Sequence, residues 1–369
     1  MRQFKREWTS LKYAAYIILL LGIVSCFLLS LLWDKHITLG SKLSSFPLLF
    51  LAFMFAFLDC TSSVVFLPYM AKYPQSYMIP FYIGEGMSGV VPSVLALSQG
   101  SGGDTCYNAT GSTDTSGPRF SVGLYFGLLC LLLAISATAF HLLNTLKISI
   151  DVRYEHLQSS SPSAKSYETG KDASQSILSG EEFELNNLKI HEVFCGDVTG
   201  RYSHVKRIFI QLYLITAIVC GLGNGVIPAI LAYACLPYGP TTYHLATELA
   251  LLANPICCFA AFFLACKKPS ILTILCSFSV AIAGVIIYTA TLSPTPWLVG
   301  TFGGSFLIVA LNVLWVGSTS YIKVNIATSL QQYGENALLY CGVVTQLGSC
   351  CGAIVIFLVS VYTNTFTSC

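Results

Sequence analysis

Three carboxylates stand inside long apolar stretches of this sequence: Asp59, Glu85 and Glu248. Charge at bilayer depth is costly, and such groups usually face a bundle interior or a water-filled path. Each therefore has two readings. It is held against a neighbouring helix, neutral or hydrogen-bonded, or it lines a cavity and serves substrate binding or proton movement. Glu85 sits in Gly84-Glu85-Gly86-Met87-Ser88-Gly89, where small residues let another backbone approach closely. That run fits a helix contact and fits a cavity wall. Glu85, Asp59 and His244 are the candidate proton-linked groups, and His244 beside Tyr243 also reads as an interfacial anchor.

A second cluster of interest is Gly221-Leu222-Gly223-Asn224-Gly225-Val226-Ile227-Pro228. Three glycines and a proline in one apolar run predict a kink or local unwinding. A broken helix lining a cavity offers its backbone groups to a substrate. Asn224 adds a donor and an acceptor at that point, and Asn254-Pro255 repeats the theme. Hydrolytic or phosphate-binding chemistry has no such foothold. The sequence contains no HExxH, no GxSxG and no phosphate loop, so it does not read as an enzyme. Its six histidines are scattered, its fifteen cysteines fall mostly in apolar runs without a CxxC pair, and no metal site or cofactor is expected.

The elements that must position these groups are long and apolar. Of 369 residues, 54% are hydrophobic and 10% charged, and the mean hydropathy is +0.70. Soluble domains carry about 25% charged residues, so this composition excludes a soluble enzyme and a disordered chain. A net charge of +2 gives no footing for nucleic acid. A spanning helix needs about 20 mostly apolar residues. Nine runs meet that need: Ala14–Trp33, Phe46–Tyr69, Met78–Ser98, Ser121–Leu146, Ile208–Tyr233, Thr242–Cys266, Ser270–Ala290, Pro296–Ser320 and Ala337–Val361. They predict an all-α polytopic membrane protein with about nine transmembrane helices in a lipid bilayer. The first run is longer than a typical signal core of about 7–15 residues and reads as a retained span.

Placing the N-terminus in the cytoplasm puts sixteen Lys and Arg on the inner side, Lys72 and Lys323 among them, and three on the outer side. Nine spans then leave the C-terminus outside. The Gly/Ser/Thr-rich segment 99–118 falls outside and carries the sequon Asn108-Ala-Thr110, a candidate glycosylation site. Cys106 and Cys235 are also exofacial and form a candidate disulfide, with Cys369 as a third exofacial thiol. The polar segment from Lys147 to about His204 reads as a flexible cytoplasmic linker. The expected organisation is thus a four-helix bundle over 1–146, a linker over 147–205 and a five-helix bundle over 206–369.

Several strings together resemble the animal riboflavin transporter family, of the solute carrier family 52 type. They are Phe66-Leu67-Pro68, Gly84 to Pro92 followed by Ala96 to Gly100, Asn224 to Pro228, and Cys235-Leu236-Pro237-Tyr238-Gly239. Tyr243 to Ala246, Ala253-Asn254-Pro255, Leu292-Ser293-Pro294 and Ser320 to Val324 continue the match in order along nearly the whole chain. The resemblance implies a bundle similar to nucleoside transporters and the major facilitator fold. It aligns the first span with the family's third helix, so that the family's first two helices are absent. It further implies riboflavin uptake across the plasma membrane by alternating access. The flavin's flat ring, amide-like edge and polyhydroxylated tail call for aromatic faces, amide side chains and hydroxyls or carboxylates. Asn224, Asn254, Glu85, Ser88, Thr61 and Ser62 are the expected substrate-binding residues. The missing helices leave a second reading open, a non-transporting form that regulates full-length relatives or acts as a cell-surface receptor.

Overall fold

The computed structural model describes residues 2–35, 37–39, 42–99, 119–159, 206–266, 268–363 and 365–366. Among the described residues, ten long helices occur in this order: α1 (Arg2–Leu32), α2 (Phe46–Met70), α3 (Met78–Gln99), α4 (Val122–Thr145), α5 (Lys147–Ser159), α6 (Lys206–Tyr238), α7 (Pro240–Phe263), α8 (Pro269–Thr291), α9 (Phe302–Gln331) and α10 (Glu335–Tyr362). A short antiparallel hairpin, β1 (Ile37–Leu39) with β2 (Lys42–Ser44), joins α1 to α2. It pairs Thr38 with Leu43 in register and was not expected from the all-helical pattern.

Local chemistry explains the helix starts. Ser121 accepts the Leu124 N–H at 3.2 Å and Thr301 accepts the Gly304 N–H at 3.1 Å, so each caps the first turn that follows it. Pro240 and Pro269 open α7 and α8, where a missing N–H costs nothing. Gly239, at φ 111°, makes the turn before Pro240 that a residue with a Cβ adopts poorly.

Among the described residues, eight helices are long and apolar enough to cross a bilayer. They match eight of the nine expected runs. The ninth run does form a 22-residue helix, α3, yet it is too polar to count with the others. Its glycines, serines and Glu85 lower its hydropathy. They are accommodated because α3 lies along α7 instead of standing alone in lipid. The helices show apolar side chains on both sides. On α8, Leu272 is 0% exposed while Ile274 is 70% exposed, and Phe53, Leu131 and Phe306 also point outwards. A helix that is apolar all round suits a lipid surround.

Two expectations about boundaries are corrected. The eighth run was expected to end near Ser320 with Lys323 in an inner loop, whereas α9 continues to Gln331 and carries Lys323 within it. A hydropathy window takes a lysine as a stop signal, but the helix goes on because this lysine lines a cavity that also holds the carboxylates of Asp59 and Glu85. The segment read as a flexible linker begins with a 13-residue helix, α5, whose Arg153 guanidinium lies 6.0 Å from the Tyr73 ring centroid. Residues 160–205 of that segment lie outside the described residues.

Packing divides into two cores. One brings together α1 to α4 and α6 to α10 through Tyr69, Tyr73, Met78, Val219, Leu330 and Leu338. The other lies within α6 to α10 and is built from Ile230, Ile286, Ile308, Trp315 and their neighbours. The early and late helices thus share one core and part around the space described next. The main bridges between them are α2 against α10 and α3 against α7.

Candidate functional site

A cavity of about 1470 Å³ lies between the early and late helices. Ligand pockets typically measure about 300–1,000 Å³, so this one is large enough for a small organic molecule. Asp59, Ser62 and Ser63 line it from α2, and Gly84, Glu85 and Ser88 from α3. Thr216 and Asn224 come from α6, Lys323 from α9, and Thr345, Gln346 and Ser349 from α10.

The glycine run on α3 does both jobs foreseen for it. Gly86 faces α7, where a Cβ would come within 3.0 Å of Pro255, and Gly89 faces Leu251. Gly84, Glu85 and Ser88 turn the other way, into the cavity. Helical periodicity sets Gly84 and Ser88 apart from Gly86, with Glu85 and Gly89 on the side between them. Ser88 Oγ donates to the Glu85 carbonyl at 2.6 Å and Ser62 Oγ donates to the Asp59 carbonyl at 2.7 Å. Each hydroxyl oxygen keeps its acceptor capacity for a ligand.

The expected break in the fifth run is a π-helical turn over Gly221–Val226. Such turns occur often at functional sites. It places Asn224 at the cavity wall, with its Nδ2 donating to Ser349 Oγ at 2.9 Å. The turn is held by backbone contact with α10. A Cβ on Gly225 would come within 2.5 Å of the Ala353 nitrogen, and one on Gly348 within 2.5 Å of the Ala217 carbonyl oxygen. A Cβ on Gly352 would overlap the Gly221 carbonyl oxygen. Two small-xxx-small faces, Gly221 with Gly225 and Gly348 with Gly352, therefore interlock.

The structure gathers Asp59, Glu85, Ser62, Ser88 and Asn224 at the cavity. It does not bring the other expected residues there. Thr61 donates back to the Phe57 carbonyl at 2.7 Å. Asn254 accepts from Cys258 Sγ at 3.5 Å on its own helix, next to the Pro255 that packs on Gly86. His244, in the first turns of α7, is outside the lining, as is Glu248. Cys235 is a buried free thiol, while Cys106, its expected partner, and Asn108 lie outside the described residues.

Lys323 is a charged cavity-lining residue that the sequence did not single out as a site residue. It stands about two turns before the end of α9, close enough to feel the charges of Glu85 and Asp59. Its apolar flanks, Ile322 and Val324, were the available signal, since both are buried. The aromatic wall was also not legible. Phe66, Tyr69 and Phe140 line one end, with Phe140 edge-on to Phe66 at 5.8 Å and tilted against Tyr69 at 5.3 Å. Nothing local marks these three among 23 Phe and 20 Tyr.

At that same end the early and late helices are tied by polar contacts. Gln331 Nε2 donates to the carbonyls of Met70 at 3.0 Å and Tyr73 at 2.8 Å. Gln75 Nε2 donates to the Thr328 carbonyl at 3.3 Å, and Lys72 Nζ lies 3.3 Å from a Glu335 carboxylate oxygen. Tyr69 and Met70 line the cavity, so this latch lies next to its aromatic wall.

Apolar helices surrounding a large, mainly apolar cavity that carries a few polar and charged groups, with that cavity set between two groups of helices, are the build of a membrane carrier. The chain belongs to the family described as solute carrier family 52, riboflavin transporter, whose model matches residues 1–368. It is 35% identical to riboflavin transporter 2 of Salmo salar, over 98% of this chain and 84% of that protein. It is similarly 35% identical to riboflavin transporter member 3-B of Danio rerio, with the same coverage. Member 3 of Homo sapiens is 31% identical over 91% of this chain and 78% of its own length. No solved structure matches the chain.

Proposed function

We propose that this protein carries riboflavin into the cell across the plasma membrane by alternating access, and is not an enzyme. The observation that carries the reading is the cavity itself, which joins an aromatic wall to amide, hydroxyl and carboxylate groups. Those are the groups a flat ring with an amide edge and a hydroxylated tail requires. The family relationship points to the same substrate. Nothing in the fold or the relatives favours a non-transporting regulator.

The substrate-binding residues on this reading are Asn224, Glu85, Ser88 and Ser62, with Asp59 and Glu85 as the candidate proton-linked pair. The N-terminus is cytoplasmic and the C-terminus extracellular, with α3 as the ninth crossing. The Lys/Arg bias supports this orientation even without Lys323. The latch at Gln331 then closes the cytoplasmic side, and transport rocks α1 to α4 against α6 to α10.

The test is uptake of labelled riboflavin into cells expressing this chain, with surface biotinylation as control. Saturable uptake above background is expected; protein at the surface without uptake would refute the reading. A separate result is expected for the latch. Gln331→Ala takes the side-chain donor from the Tyr73 carbonyl and leaves the Met70 carbonyl with only the Tyr73 N–H at 3.1 Å, which costs about 1–3 kcal/mol. The inner end should open more often, so labelling of Cys341 by an impermeant maleimide in inside-out vesicles, read by mass spectrometry, should rise at least about fivefold. An unchanged labelling rate would show that the contact is not a gate.

A further inference from the structure

Among the described residues, the charged side chains lining the cavity are three: Asp59, Glu85 and Lys323. Two carboxylates come from α2 and α3, and one ammonium from α9. Lys323 makes no hydrogen bond and no ion pair within 4 Å to either carboxylate among the described residues, although all three interact through their charges. The lysine is therefore not consumed by a salt bridge and keeps donors for a ligand. The three groups sum formally to one negative charge, in a cavity whose other lining side chains are neutral. Low-dielectric walls focus such a field on whatever enters.

We propose that Asp59, Glu85 and Lys323 form a charge filter that sets substrate specificity: it admits the neutral flavin and rejects its phosphate monoester. Lys323 donates to the carbonyl edge of the ring and positions it, while Asp59 and Glu85 accept from the hydroxylated tail. A 5′-phosphate on that tail brings about −1.5 to −2 charges at pH 7 to the side where the carboxylates stand. Repulsion of a like charge in a partly desolvated site is strong. The neutral flavin meets no such barrier. A lysine alone in the cavity would have the opposite effect and would recruit the phosphate.

This inference rests on the cavity being the flavin's path, and its test keeps the two apart. Wild-type protein and the double variant Asp59→Asn/Glu85→Gln are reconstituted in proteoliposomes, which contain no phosphatase. Binding of riboflavin and of flavin mononucleotide to each protein is titrated by quenching of flavin fluorescence, which needs no transport, and the ratio of the two dissociation constants is the readout. Asn and Gln keep hydrogen-bond acceptors while the net cavity charge changes from −1 to +1. The ratio is expected to shift at least tenfold towards the phosphorylated flavin. Lys323→Gln takes the charge to −2 and should weaken riboflavin binding at least fivefold while moving the ratio the other way. Should the double variant fail to assemble, direct quenching of flavin fluorescence by the purified Lys323→Gln protein still reads both quantities. Wild-type uptake with a ratio that no charge change moves would overturn the filter and leave the transport reading intact. Absence of wild-type riboflavin uptake would overturn both.

Discussion

Gly352→Val is expected to be the most damaging single change in the membrane-embedded part of this protein. The Cβ position at Gly352 overlaps the Gly221 carbonyl oxygen and lies 2.7 Å from the Gly221 carbonyl carbon. Nothing flexible can yield there, because the opposing atoms are backbone. α6 and α10 must separate, and their separation breaks the Gly225 and Gly348 contacts on the same seam. Overpacking of a rigid contact costs about 1–3 kcal/mol and occasionally more, and backbone against backbone belongs at the upper end. Surface protein should fall severely, and the variant extracted in detergent should melt well below wild type in fluorescence-detected size exclusion. Gly284→Ala is the control. Nothing lies within 4 Å of its Cβ position, so it should be neutral or stabilising by about 0.5–1 kcal/mol, the helix-propensity gain of alanine. Equal melting of the two variants would show that the seam is looser than its geometry.

The second large effect is expected at Asn224, where Asn224→Ala should raise the half-saturating riboflavin concentration about 5- to 150-fold. That range corresponds to about 1–3 kcal/mol, the cost of leaving a substrate's polar group without its partner once bound substrate has displaced the water there. The side chain has two duties, since its Nδ2 holds Ser349 Oγ at 2.9 Å while the amide faces the cavity. Ser349→Ala separates them. It removes the helix-to-helix hydrogen bond and leaves the amide in place, so it should lower stability by about 1 kcal/mol and, although Ser349 itself lines the cavity, weaken affinity less than Asn224→Ala does. If Ser349→Ala weakens uptake as much as Asn224→Ala does, Asn224 acts through the packing of α6 on α10 and does not touch the substrate.

The contrast between Glu85 and Lys323 shows what kind of site residue a sequence can reveal. A carboxylate flanked by glycines in an apolar run is conspicuous, and its place on the cavity wall follows from the cost of charge in lipid. Lys323 carries an equal charge but sits near a helix end. There a lysine has a cheaper explanation, because a long side chain can reach the polar interface. Only the length of α9, and what stands opposite, removes that explanation. Asn254 fails for the converse reason. Its motif repeats that of Asn224, yet its helix turns Pro255 towards Gly86 and leaves the amide bonded within the helix. Which face of a helix meets a cavity depends on its neighbours, and an all-round apolar helix carries no moment to announce it.

The helical membrane class, the existence of eight spans and the place of seven of them, the break at Gly221–Val226 and the family were all determined by sequence alone. Each rests on local or cumulative signals: the length of an apolar run, the loss of helical preference at clustered glycines, and ordered motifs along the chain. Tertiary structure alone decided the cavity, its charge balance, the aromatic wall, the Gln331 latch and the interlocked glycine seam. These join residues far apart in sequence, Met70 to Gln331 and Gly221 to Gly352. They depend on helix rotation and on distances between helices. In lipid those are set by close packing and by satisfied polar groups, not by hydrophobicity, since the tails are as apolar as the side chains.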